Sequence, residues 1–213
     1  CAGYDTGQLK ALVLDMSWSK VVRVQRPQLS LFDTTRMEAY LNRLLAGKTF
    51  DELEIPFTTL AVDILTAAEI PLSEGPVARA VRASCALPGL FTPIEWDDYL
   101  LVDGGLLNNL PVQMVREMGV DYVIAVDVMS PGGSHSRPRN LFEIWVLSIA
   151  AVMRRAYSQS AVADFLIHPE LSDLSMVDFD EAAELIARGR LAAEENLEDL
   201  LRDLGRPRAE GGA

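Results

Sequence analysis

Tyr99-Leu100-Leu101-Val102-Asp103-Gly104-Gly105-Leu106-Leu107-Asn108-Asn109-Leu110-Pro111 is the stretch whose reading decides the fold. An apolar run ends in an aspartate. Two glycines and a polar turn follow, then a proline placed to open a helix. A strand that ends in a carboxylate puts that group where open α/β sheets gather their ligands. Gly104 and Gly105 leave out side chains where another group must come close, and they allow positive φ. The bland reading is a turn aspartate that accepts a bond from its own downstream backbone. Spacing alone leaves both readings open.

Working outward, Pro111 to Met118 reads as a short helix, with Gly119 just past its end. Tyr122 to Val128 is a nearly continuous β-prone run, of the kind usually covered on both faces. Strand, helix, strand over 99–128 predicts a parallel pair joined by a right-handed crossover. Phe57 to Ile64 and Glu69 to Leu72 read as strands of a hairpin, and Trp96-Asp97-Asp98 as a turn. Helical periods run through Asp5–Met16 (Leu9, Leu12 and Val13 on one face), Thr34–Ala46, Val77–Cys85 and about Leu141–Ala163. Phe165–His168 is a short strand. The last helix carries Leu197, Leu200, Leu201 and Leu204 on one face. Residues 129–140 read as an exposed loop and 205–213 as a disordered tail. No repeat or linker divides the rest, so residues 1–204 are read as one α/β domain.

The 213 residues carry a formal charge of −12, which argues against nucleic acid as a partner and against strongly anionic membranes. Arg154 and Arg155 form only a small basic patch, read as a solvated helix face. Two cysteines, Cys1 and Cys85, make neither a disulfide framework nor a zinc set, so no metal or cofactor is expected and a reducing compartment is the default. Cys1 is read as the start of an excised sequence rather than as a lipoprotein cysteine, because Tyr4–Met16 looks folded. No signal peptide is visible. The longest apolar run, Ile144–Met153, is far shorter than the roughly 20 residues of a membrane-spanning helix.

Other candidates carry bland readings. Ser84 ends a helix rather than sitting on a strand-to-helix elbow, and packing explains it better than nucleophilic chemistry. Cys85 reads as a small buried residue. His135 lies in a Gly/Ser loop, and His168 precedes Pro169 at a strand end. Neither has a triad setting. Gly132-Gly133-Ser134 lacks the spacing and lysine of a phosphate loop.

Three segments taken in order resemble a patatin-like phospholipase domain of the bacterial branch related to neuropathy target esterase. They are Val81-Arg82-Ala83-Ser84-Cys85-Ala86-Leu87-Pro88-Gly89-Leu90-Phe91, Leu101–Val112 and Gly119–Val128. The similarity extends from the N-terminus to about Ala193. The resemblance implies a three-layer α/β/α sheet and a Ser–Asp dyad that hydrolyses phospholipid or other lipid acyl esters. Asp103 takes the place of the base, with Gly104 and Gly105 shaping its turn and Asn108 helping to hold it. Ser84, Pro88 and Phe91 belong to a loop that walls the pocket. Transient contact with a membrane surface, and a cytoplasmic or peripheral location, go with that reading.

The departure from the family pattern is specific. Gly-x-Ser-x-Gly occurs nowhere in the chain, and the glycine-rich oxyanion loop is absent as well. Cys1-Ala2-Gly3-Tyr4-Asp5 resembles the stretch just after the elbow helix. The expectation is therefore an N-terminally truncated domain that keeps the base, lacks its serine and is itself inactive. The alternative is a non-catalytic lipid-binding or interaction module that has lost its nucleophile. A metal enzyme built on Asp103 finds no second carboxylate at ligand spacing.

Overall fold

The computed structural model describes residues 1–24, 29–129, 137–157, 163–174 and 179–205. Its centre is a four-stranded antiparallel sheet. β1 (Arg23–Val24) and β2 (Phe32–Asp33) form a small pair of their own. The main sheet comprises β3 (Thr59–Asp63), β4 (Ala68–Leu72), β5 (Ile94–Trp96) and β6 (Tyr99–Asp103), in the order β4-β3-β6-β5. The hairpin read over 57–72 is present as β3 and β4. A strand was not expected at β5. The turn read at 96–98 is the tip of a second hairpin, in which Asp97 adopts φ 51°.

Helices α1 (Thr6–Leu14), α2 (Trp18–Val21) and α3 (Thr35–Leu44) precede the sheet, and α4 (Val77–Ser84) crosses it between β4 and β5. After β6 come α5 (Val112–Glu117), β7 (Ile124–Val126), α6 (Leu141–Tyr157), β8 (Phe165–Ile167) and α7 (Ala182–Leu204). Asp5 starts α1 as a capping box with Gln8, which is why the helix begins where the sequence places it.

The core lies between α4 and the main sheet. Val77, Ala80 and Ala83 of α4 pack with Ala61, Leu72, Ile94 and Leu101 from the strands. The alanines matter here, because small side chains let the helix lie close on the sheet. Arg82, on another face of α4, donates to Thr34 Oγ1 at 2.9 Å and to Glu38 at 2.7 Å. Those bonds fasten α4 to α3.

Two expectations are corrected. β6 does not pair with β7. Its neighbours are β3 and β5, both antiparallel, and β7 instead pairs parallel with β8. The crossover read over 99–128 fails because β5 and β3 occupy both edges of β6. The run at β7 is not covered on both faces either: Ile124, Val126 and Val128 are about half exposed among the described residues. On the apolar faces of α1 and α7, Leu9, Leu197 and Leu201 are exposed, while Leu12 and Leu200 are half-buried. The α/β class itself stands, with mixed helix and strand throughout. Residues 206–213, His135 and the Gly132-Gly133-Ser134 stretch lie outside the described residues, as do the side chains of Arg154 and Arg155.

Candidate active site

Asp103 is the last residue of β6, opposite Ala61 of β3. Its backbone N–H donates to Ala86 O at 3.0 Å, which ties the strand end to the loop after α4. Its Oδ1 accepts the Gly105 N–H at 2.8 Å and so caps the short 3-10 turn Gly104–Leu106. The bland reading of a turn aspartate is thus half of the answer. One oxygen holds the turn, while Oδ2 accepts no hydrogen bond among the described residues.

The glycines are needed for space, since neither adopts a positive φ. A Cβ on Gly104 would overlap the Leu60 carbonyl oxygen and lie 2.7 Å from its carbon, both backbone atoms of β3. A Cβ on Gly105 would meet Asn109 Oδ1 and Met153 Cε, each at 2.6 Å. Asn109 and Met153 were not singled out from the sequence. Met153 belongs to α6, which therefore lies over the Asp103 turn. The same helix places Trp145 against Gly89, whose φ of +75° shapes the loop after α4.

Asn108 is bonded both within the turn and to a neighbouring strand. Its Nδ2 donates to Glu69 at 2.8 Å, tying the turn to β4, while its own N–H donates to Gly104 O. Its Oδ1 is buried and has no partner among the described residues. Phe91 is buried against Phe32 and Trp18 and is a packing residue. Pro88 and Ser84 are half-buried on the loop and at the end of α4.

Burial pushes the Asp103 carboxyl up to about 6, partly opposed by the Gly105 N–H. A carboxylate tuned in this way is a proton acceptor poised near neutral pH. Cys85 is its neighbour. The residue is accessible at the surface, yet crowding by protein, and then the charge of Asp103, push its thiol up to about 11. We accordingly predict that Cys85 alkylates about a hundredfold more slowly at pH 8 than a free cysteine peptide. Asp103→Asn should speed the reaction severalfold. Equal rates in parent and variant would mean that the two groups do not face each other.

Sequence reading did not single out a carboxylate–imidazole pair formed by Asp127 and His168. Asp127 and His168 each lie one residue beyond the ends of the parallel strands β7 and β8, with Nδ1 of His168 3.1 Å from Asp127 Oδ2. Asp127 is buried, and its Oδ1 accepts the Met129 N–H at 2.9 Å. The available signal was positional: each residue follows an apolar run, and the strand pairing brings the two together across 41 positions. Among the described residues, no group of three His, Cys, Asp or Glu side chains converges as a metal-binding set. No described helix is long and apolar enough to cross a membrane.

A mixed α/β fold with a half-buried strand-end aspartate followed by two space-limited glycines defines a class of site. Comparison with known proteins gives that class a family. The family model for patatin-like phospholipase matches residues 3–116, and the chain belongs to that family. It is 33% identical to an NTE family protein of Mycobacterium bovis over 121 residues, which is 55% of this chain and 33% of that protein. It is 35% identical to patatin-like phospholipase domain-containing protein 7 of Rattus norvegicus over 106 residues, covering 49% and 8% respectively. For patatin-like phospholipase domain-containing protein 6 of Homo sapiens the identity is 35% over 112 residues, covering 52% and 8%. The match thus spans a third or less of the length of these relatives. A lipid-hydrolase type of function goes with the family.

Proposed function

We propose that this chain carries the base half of a serine–aspartate lipid acyl hydrolase, with Asp103 as the general base. The observation that carries the reading is the state of that carboxylate. Its Oδ1 is engaged by the Gly105 N–H, Oδ2 is left available, and burial brings the group to about 6. A carboxylate hydrogen-bonded directly to a serine hydroxyl takes its proton as the oxygen attacks an ester carbonyl. The ester C–O bond then breaks, the alcohol leaves with the proton held by Asp103, and the serine keeps the acyl group until a water, deprotonated by the same carboxylate, releases it as the acid. His168 is committed to Asp127 and is not needed for this step. The substrates are phospholipids or other lipid acyl esters, met at a membrane surface by transient contact. Ser84 and Pro88 would stand at the wall of the acyl site.

The nucleophile is not among these residues, because Gly-x-Ser-x-Gly does not occur in the sequence. The 213-residue chain alone is therefore expected to show no ester turnover above buffer. The natural reading frame that contains it should encode that motif, label at its serine with a fluorophosphonate, and hydrolyse aryl esters and phospholipids. Dyad-dependent turnover by the chain alone, lost in Asp103→Asn, would overturn the assignment. A natural frame with no such serine and no labelling would favour the non-catalytic lipid-binding module.

A further inference from the structure

The chain is strongly acidic, yet one cavity reverses that sign. It has a volume of about 650 Å³ and lies between α2 and α3, lined by Ser19, Lys20, Arg36, Ala39, Tyr40, Asn42 and Arg43. Positions 36, 39, 40 and 43 fall on one face of α3 through the i, i+3, i+4, i+7 spacing. Three cations and no carboxylate line the space, on a molecule of charge −12. No lining residue belongs to the Asp103 turn or to the loop after α4, so this site does not depend on the hydrolase reading.

The polar groups of the cavity are unevenly engaged. Lys20 is paired with Asp15 at 2.6 Å. Arg36 gives one N–H to the Ser19 carbonyl at 3.2 Å and keeps the rest of its fork. Arg43 makes no ion pair with any described residue. The nearby Glu38 is spent on Arg82. Tyr40 lines the same cavity at only 9% relative exposure, and its buried hydroxyl has no hydrogen-bond partner among the described residues. That hydroxyl is closed off from solvent, so the groups that face a guest are the Arg36 and Arg43 guanidiniums.

We propose that this cavity binds the phosphoryl group of a phosphate ester. Two guanidiniums suit a phosphate better than a lone ammonium would, since each can present two parallel N–H bonds to its oxygens. With Lys20 paired to Asp15, the two guanidiniums still exceed what a single carboxylate would neutralise. The volume also exceeds that of a bare phosphate and leaves room for an organic remainder. The same chemistry is offered by a soluble phosphate monoester and by an anionic phospholipid head group.

Titration calorimetry of the full chain with glycerol phosphate tests the proposal, with glycerol and matched chloride as controls. Flotation with phosphatidylcholine vesicles containing or lacking phosphatidic acid runs beside it. Glycerol phosphate should saturate where the controls do not. Arg36→Ala with Arg43→Ala should weaken binding at least tenfold. Arg43→Lys, which keeps the charge and spares the fold, should lose severalfold. Binding of glycerol phosphate without vesicle capture identifies a soluble ester. Capture that requires phosphatidic acid and is lost in the double variant identifies a lipid head group. Neither probe binding, or undiminished binding by a folded double variant, would overturn the proposal.

Discussion

Gly104→Ala is expected to cost the chain its native fold or most of its stability, on the order of 3 kcal/mol or more. The added methyl would fall on the Leu60 carbonyl, and that oxygen belongs to the backbone of β3 at the centre of the sheet. Neither atom can yield by changing a rotamer. β3 is held on one side by β4 and on the other by β6, so moving Leu60 means breaking ladder bonds. Gly104 itself is buried and starts the turn that Asp103 caps. Gly105→Ala meets only side chains: the ends of Asn109 and Met153, which can rotate away, and Asp103 Oδ1 at 3.1 Å, which must give by a few tenths of an ångström. Its cost should be about 1 kcal/mol, within the lower range for overpacking. Thermal melts of the two variants check this ordering. A Gly104→Ala protein that melts within a few degrees of the parent would show that β3 does not approach the turn so closely. A Gly105→Ala protein that melts lower than Gly104→Ala would reverse the assignment of which glycine the sheet requires.

The contrast between those glycines marks what the sequence could and could not disclose. Two glycines after an apolar strand announce a tight site, and the family resemblance rested on them. Which one is crowded by backbone depends on the register of Ala61 against Asp103, and a local pattern carries no register. The hairpin of β3 and β4 was legible because its strands are adjacent in sequence and its turn residues lie between them. The partner of β7 was not, because β8 lies some forty residues further on, beyond a whole helix. The same distance hid the pairing of Asp127 with His168. α6 was visible as an apolar helix, but nothing in its period says that Met153 lies on the Asp103 turn. The expected two-sided burial of β7 fails for a related reason. Continuous apolar runs report what a strand can pack against, and the described residues leave that face open. Asp103 itself was found because its chemistry and its strand end coincide in one short segment.

Asp103→Asn is expected to separate stability from catalysis, moving them in opposite directions. Asn keeps an Oδ1 acceptor for the Gly105 N–H, so the turn survives the change. What disappears is a carboxylate that burial has pushed from an ordinary value near 3.8 to about 6. The sign follows from linkage. Well below pH 4 the carboxyl is protonated in both the folded and unfolded states and contributes no penalty, and near pH 4 the penalty is still small. Between about 4 and 6 the unfolded chain ionises first, so the folded state loses ground as pH rises. Above 6 both states are ionised, and the penalty is constant at its full value of up to about 3 kcal/mol. Asp103→Asn should therefore raise the melting temperature at pH 8 by several degrees and leave it nearly unchanged at pH 4. In a longer protein that carries the proposed serine, the same substitution should lower kcat by about a thousandfold, as expected when a general base is lost. The parent kcat should rise with pH through about 6, because only the ionised carboxylate accepts the serine proton. A variant destabilised at pH 8 would show that the carboxylate is a structural anchor rather than a strained base. A stabilised variant that keeps full turnover would place the base elsewhere, with Asp127 and His168 the next pair to test. Gain of stability together with loss of turnover is the outcome that a structural turn aspartate cannot produce.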